Sequence, residues 1–182
     1  MLGRLRKLFL KKDASFNCSK CGKHHEAWPA LAYDSPDHYA LLSHEEQGAI
    51  AKLTDDFCVI TYPDETDRFV RGVLFQKVND HCEPLDYGLW VSLSEKSFLD
   101  YRAHFNDDNY EAIYFGWICN TLEGHDYCLG IPADVILKGD GKRPEIVPHS
   151  DHEHPFVYEY YNGISRREAI NRIDSLLAKA GK

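Results

Sequence analysis

The chain has 182 residues, of which 43% are apolar and 13% aromatic, enough to bury a hydrophobic core and to exclude a chain that is disordered throughout. Its 29 acidic residues outnumber its 21 basic ones and give a net charge of −8, which argues against binding nucleic acid through a basic face. No apolar run approaches the roughly 18 residues that cross a bilayer, so we expect a soluble acidic protein with no transmembrane segment.

The first twelve residues are basic, unlike the rest of the chain. They carry no acidic residue and five cations: Arg4, Arg6, Lys7, Lys11 and Lys12. In a helix, four apolar residues would share one face: Leu2, Leu5, Leu8 and Phe9. The pattern predicts a basic amphipathic leader over residues 1–15. We expect residues 16–180 to form a single α+β domain, which includes a Cys/His knuckle at 16–29. We favour a leader docked on the acidic body over a weak peripheral anchor on anionic lipid. The cations do not fit a secretory signal, so we expect a cytoplasmic protein.

Two of the six cysteines, Cys18 and Cys21, are separated by two residues. A tight turn with this spacing can direct both thiolates at one zinc ion, and Gly22 can take the positive φ that closes the loop beneath it. A redox pair would instead need Cys21 inside a helix that begins at Cys18, which Gly22 and its polar neighbours oppose. We therefore favour a zinc knuckle over unbound structural thiols, and redox chemistry least.

A complete zinc site needs two more ligands. His24 and His25 follow the cysteines directly and offer imidazole, which zinc accepts. For the fourth position we favour Cys58, where a helix passes into a strand. The cluster from His149 to Pro155 is the rival source, although such a tract is more typical of a solvated loop. Nothing beside the cysteines resembles the general base of a hydrolase, so we expect a structural zinc ion.

Capping signals predict the helices of the domain. Ser43 and Glu46 form a capping box that opens a helix ending near Leu53, and Ser94 begins a second helix. A second capping box begins the closing helix at Ser165, whose apolar stripe consists of Ile170, Ile173, Leu177 and Ala180.

Strand-like runs are more numerous than helices. They lie at 57–62, 68–78, 85–93, 111–121, 134–137 and 145–147. Because several follow one another without an intervening helix, we predict an α+β fold with a mainly antiparallel sheet and packed helices.

The run Tyr114-Phe115-Gly116-Trp117 is the most aromatic in the chain. Alternation along a strand would place Phe115 and Trp117 on one face and Tyr114 on the other. A stacking platform for a base or a sugar is one interpretation of this run, but we favour burial in the core.

Familiar catalytic motifs are absent from the sequence. Ser92 and Ser94 lack the Gly-x-Ser-x-Gly frame of a nucleophile elbow, and neither kind of phosphate-binding glycine loop occurs.

Several motifs occur in the order found in one bacterial family. They are Phe16-x-Cys18-x-x-Cys21-Gly22-x-x-His25, Pro29-Ala30-Leu31-Ala32, Asp56-Phe57-Cys58-Val59-Ile60, Phe69-x-Arg71-Gly72-x-Leu74, Gly88-Leu89-Trp90-Val91-Ser92-Leu93-Ser94, Tyr114-Phe115-Gly116-Trp117 and Asp151-x-x-His154-Pro155. On these motifs the chain resembles the family called domain of unknown function 2199. The resemblance implies that His25, rather than His24, is the matching histidine. It also supports a single site of Cys18, Cys21, His25 and Cys58, with His154 as the alternative fourth ligand, and it implies no activity.

Two classes of function follow from these observations. The first is a zinc-stapled interaction module whose acidic surface meets a basic protein, for example an immunity protein that inhibits a basic toxin such as a nuclease. The alternative is a small metal-dependent enzyme, which would need an open position on the metal. We favour the interaction module, because closed four-ligand sets are typical of cysteine-rich structural zinc sites.

Overall fold

The computed structural model of the chain describes residues 15–17, 24–26, 28–125 and 128–180. Within this part the fold is α+β, as predicted, with a core dominated by β-sheet. The strands are β1 (Ser15–Asn17), β2 (His24–Glu26), β3 (Leu31–Ala32), β4 (Ala51–Leu53), β5 (Phe57–Thr61), β6 (Thr66–Gln76), β7 (Leu85–Leu93), β8 (Glu111–Ile118), β9 (Ile131–Lys138) and β10 (Glu145–Pro148). The helices are α1 (Asp37–Ala40), α2 (His44–Ile50), α3 (Glu95–Ala103), α4 (Pro155–Asn162) and α5 (Arg166–Ala180).

Five of the strands close into a barrel. The main sheet has the order β3-β7-β8-β9-β10-β6-β5-β4, and an additional pairing of β6 with β7 closes the ring β6-β7-β8-β9-β10. Neighbouring strands are antiparallel except for two parallel pairs, β3 with β7 and β6 with β10. The antiparallel prediction therefore holds for most of the sheet.

Two glycines permit the close approach of strands in the barrel. A Cβ atom on Gly72 would lie 2.8 Å from both Ile146 Cγ1 and the Pro144 carbonyl oxygen. A Cβ atom on Gly116 would overlap Val91 and lie 2.7 Å from the Ser92 carbonyl oxygen. Real Cβ atoms do not approach other atoms so closely, so only glycine fits at these two positions.

The predicted helix from Ser43 does not reach Leu53. The capping box forms, since Glu46 N donates to Ser43 Oγ and Ser43 N donates to the Glu46 carboxylate. The helix nevertheless ends at Ile50, and residues 51–53 instead pair with β5 in β4, where Leu53 lies opposite Cys58. Pairing with a distant strand overrides the helical signal at these residues.

The buried side of α5 matches the predicted stripe at Ile173 and differs from it at Ile170. Among the side chains of α5 that the structure describes, the buried ones are Ala169, Arg172, Ile173 and Leu176, whereas Ile170 is 39% exposed. These buried positions follow the i, i+3, i+4, i+7 spacing of one helix face. The side chains of Leu177 and Ala180 lie outside the described part.

One outer face of the barrel is covered by the segment 31–42, which we call the cover. Leu31 and Ala32 pair with Tyr87 and Gly88 of β7, and the Trp90 indole donates to the Tyr33 carbonyl oxygen at 3.0 Å. The cover ends against the residues that follow β8, where Asp37 N donates to the Cys119 carbonyl oxygen. His38 of the cover also packs on Phe69 of β6, with ring centroids 5.2 Å apart. The cover therefore lies over parts of β6 and β7, whereas the outward side chains of β8 stay exposed.

The predicted leader and knuckle fall largely outside the described residues. Of the knuckle, the structure describes β1 and β2, which pair antiparallel with Phe16 opposite His25. Among the described helices, none combines the length and the apolar composition that a membrane span requires.

Candidate functional site

Three large apolar side chains point outward from β8: Ile113, Phe115 and Trp117, which we call the β8 strip. They are 67%, 49% and 44% exposed, respectively. The predicted alternation is correct, because Tyr114 faces inward and is buried. The prediction that Phe115 and Trp117 are core residues is wrong, because the cover does not extend over β8.

The inward direction of Tyr114 fixes the outward direction of its neighbours. Its hydroxyl donates to the Asp100 carboxylate on α3 at 2.7 Å. Burial and this hydrogen bond raise the pKa of the Tyr114 phenol. Since side chains alternate along a strand, anchoring Tyr114 to α3 places Phe115 on the outer face.

The rings of the β8 strip are held in a defined geometry. Phe115 and Trp117 meet edge to face, with ring centroids 5.0 Å apart and an interplanar angle of 89°. The His149 ring makes a second edge contact with Phe115 at 5.5 Å. Three rings are therefore joined by these two contacts on the outer face of the sheet, near the middle of β8.

A carboxylate lies beside these rings. Asp134 on β9 is directly opposite Phe115 in the strand register. His149 Nε2 donates to Asp134 Oδ1 at 3.0 Å, and 44% of the Asp134 side chain is exposed. Burial, with contributions from Asp134 and Asp151, raises the pKa of the Tyr161 phenol. The β8 strip thus borders an acidic group that is held in place and reachable from solvent.

Two residues of the β8 strip, Phe115 and Trp117, also form one wall of a shallow groove of about 370 Å³. The opposite wall carries hydroxyls and one carboxylate: Thr66, Asp67, Ser92, Ser94 and Ser97. Arg68 also lines the groove, and its guanidinium pairs with Glu95 at 2.6 Å. The groove is therefore polar on one side and aromatic on the other.

Of the predicted zinc ligands, only His25 and Cys58 lie within the described residues. Cys18 and Cys21 lie outside the described residues, and His25 is seen only as a strand residue opposite Phe16. Cys58 lies in β5 and is fully buried. Burial, with a contribution from Asp67, raises the pKa of the Cys58 thiol to about 12. Within the described ranges no three His, Cys, Asp or Glu side chains form a group that could hold a metal ion.

The alternative ligand His154 has a structural role. Its Nδ1 accepts a hydrogen bond from Phe156 N and caps α4. The cluster from His149 to Pro155 is therefore a loop only in part, because α4 begins at Pro155. His24, the remaining alternative, lies opposite Asn17 in the β1–β2 pair.

A buried arginine, which sequence reasoning did not identify, ties α4 and α5 to one end of the barrel. Arg172 donates to Glu159 at 2.6 Å and to Glu168 at 2.8 Å. It also donates to the Tyr87 hydroxyl in β7. His125 Nε2 lies 2.8 Å from the same Glu159 carboxylate. Each charge in this group has a partner, so it is a structural ion cluster.

The membership of the chain in a family is established over most of its length. A family model described as an uncharacterized protein conserved in bacteria (DUF2199) matches residues 17–164. The chain belongs to this family, as its motifs predicted. No curated protein and no solved structure matches the chain.

Proposed function

We propose that the protein is an interaction module that binds a basic protein through the β8 strip and its surroundings. The observation that carries this proposal is the exposure of Phe115 and Trp117 on a rigid sheet beside Asp134. Aromatic residues are enriched at the centres of protein interfaces, where they bury much area at little cost in conformational entropy. Neighbouring apolar residues exposed together are a mark of binding surfaces.

The charge of the molecule supports a basic partner. The chain carries a net charge of −8, and such a field increases the association rate with a basic protein in a salt-dependent way. A basic toxin such as a nuclease is one partner with this chemistry. Binding would then weaken as salt concentration rises, because the attraction is screened.

A capture experiment tests the interaction surface. Bacterial cell extract would be passed in parallel over three immobilised proteins: wild type, Trp117→Ala and Leu41→Ala. Leu41 is 75% exposed on the cover and is not part of the β8 strip, so it controls for the general loss of an apolar side chain. We expect one basic protein to be retained by wild type and Leu41→Ala and lost with Trp117→Ala. A partner retained equally by all three, or by none, would contradict the proposal.

We also propose a structural zinc ion on Cys18, Cys21 and His25, with Cys58 as the favoured fourth ligand and His154 or His24 as alternatives. Cys82 is a further candidate, because it follows His81 and the His81 ring stacks on Trp28 at 4.1 Å. Trp28 lies just beyond β2, so Cys82 is close in space to a residue next to the knuckle. A four-ligand zinc site would hold this segment in place without taking part in a reaction.

Zinc content separates these alternatives. We expect about one zinc ion per chain in protein purified without chelator. Cys18→Ser with Cys21→Ser should abolish zinc binding and lower the melting temperature. Cys58→Ser and Cys82→Ser, each measured alone, would show which thiol completes the site. Zinc lost without a loss of stability would favour the alternative, a metal-dependent enzyme, and a wild type free of zinc would refute the site.

A further inference from the structure

We infer that Phe115, Trp117 and Asp134 form a subsite for a guanidinium group, which takes an arginine side chain of the basic partner. This inference rests on the proposed function, because it names the group that the partner would insert at the β8 strip. A guanidinium is planar and cationic, so it can lie on an aromatic ring and pair with a carboxylate at the same time.

The two rings supply the aromatic half of the subsite. Because Phe115 and Trp117 are perpendicular, they form two walls of a corner on the outer face of β8. A cation is attracted to an aromatic face within about 6 Å of the ring centre. The same chain already shows this contact, since the Arg71 guanidinium lies 6.0 Å from the centre of the Trp90 ring.

Asp134 supplies the charged half. It faces Phe115 across the β8–β9 pair and is diagonal to Trp117, a separation of about 7–8 Å that a long side chain can bridge. Its partner is His149, whose Nε2 donates to one carboxylate oxygen. Asp134 takes part in no ion pair with a lysine or arginine of the described ranges. A guanidinium can therefore approach the carboxylate without displacing a cation of the protein itself.

This chemistry favours arginine over other occupants of the β8 strip. A purely apolar partner would bury Asp134 without a cation, which costs free energy. A lysine ammonium would satisfy the charge but could not form the planar, bidentate contact with a carboxylate that a guanidinium makes. A second copy of this acidic chain would bring more negative charge to Asp134, and ultracentrifugation would reveal such a dimer.

A peptide titration tests the subsite directly. Hexa-arginine and hexa-lysine peptides would be titrated into wild type, Asp134→Asn and Asp174→Asn, with tryptophan fluorescence as the signal. Asp174 is exposed on α5, so both variants lose the same charge, but only one loses it at the β8 strip. We expect Asp134→Asn to weaken hexa-arginine binding about tenfold and Asp174→Asn less than about twofold. Wild type should bind hexa-arginine more tightly than hexa-lysine.

Three outcomes would overturn the subsite: no binding of hexa-arginine to wild type, equal losses in the two variants, or equal affinity for both peptides. Melting temperatures of the variants would show that each is folded. The proposed function would stand without the subsite if the captured partner still requires Trp117 but binds Asp134→Asn as well as wild type. Loss of the Trp117 dependence itself would instead refute the proposed function.

Discussion

At the scale of single residues, the position of the β8 strip depends on the close contact of β7 with β8. Gly116 lies between Phe115 and Trp117 on the inward side of β8. A Cβ atom at this position would overlap the Val91 side chain and crowd the Ser92 carbonyl oxygen of β7. The space freed by this glycine lets β8 pack against β7 at Val91, Ser92 and Leu93. The outward direction of the two exposed rings follows from that packing.

Substitution of Gly116 tests this contact. Gly116→Ala should lower the free energy of unfolding by about 1–3 kcal/mol, because the added methyl group overpacks the β7–β8 contact. Gly48→Ala is the matched control, since Gly48 lies in α2 with no atom near its would-be Cβ. That control should raise stability by up to about 1 kcal/mol through helix propensity. Urea unfolding of both variants measures the difference, and equal effects would contradict the account.

At the scale of elements, α4 and α5 are joined to the barrel by a buried ion cluster as well as by apolar side chains such as Phe156 and Leu176. Glu159 comes from α4, Arg172 and Glu168 from α5 and Tyr87 from β7. Burial alone would lower the pKa of Arg172, but Tyr87, Glu159 and Glu168 more than offset this effect and raise it. The guanidinium is therefore charged throughout the ordinary pH range.

Removal of this guanidinium should cost more than removal of an exposed one. Arg172→Leu removes the donor that Glu159, Glu168 and Tyr87 share, and we expect a loss of about 3 kcal/mol in the free energy of unfolding. Arg167→Leu, at an exposed position of the same helix, should change stability by less than about 0.5 kcal/mol. A similar small effect in both variants, measured by urea unfolding, would show that the cluster does not hold α5 to the barrel.

Local signals predicted the elements better than they predicted what covers them. The strand 85–93 and the helix starting after Ser94 follow from alternation and a capping serine, which act over a few residues. The helix α4 was missed because His154 caps it through a ring nitrogen, an unusual N-cap. The side of β8 that faces solvent was not predictable, because Ile113, Phe115 and Trp117 are as apolar as a buried face. The cover lies over β7 instead, where it is placed by the parallel pairing of Leu31 with Tyr87, residues distant in sequence.

At the scale of the whole molecule, several buried or half-buried thiols and phenols are weak acids that stay protonated in the folded protein. Burial raises the pKa of the Cys58 thiol and of the Tyr160 phenol to about 12, and that of the Cys119 thiol to about 11. Burial also raises the pKa of Tyr33 and Tyr87. In the unfolded chain the pKa would be about 8.5 for a cysteine thiol and about 10 for a tyrosine phenol.

These shifts predict a stability that falls at alkaline pH. Below about pH 8 both states hold these protons, so their contribution to stability is complete. Above that pH the unfolded chain loses protons that the folded protein retains, and stability declines as the pH rises toward 12. Urea unfolding at several pH values between about 7 and 11 measures the decline. A free energy of unfolding that stays constant over this range would contradict the burial of these groups.

The central claim is that the uncovered face at β8 binds a basic protein. Its most direct test is photocrosslinking in cells, with a benzoylphenylalanine in place of Phe115 and, separately, in place of Leu41 on the cover. We predict that light links a basic protein to position 115 and not to position 41. Crosslinks of equal yield at both positions, or none at position 115, would contradict the claim.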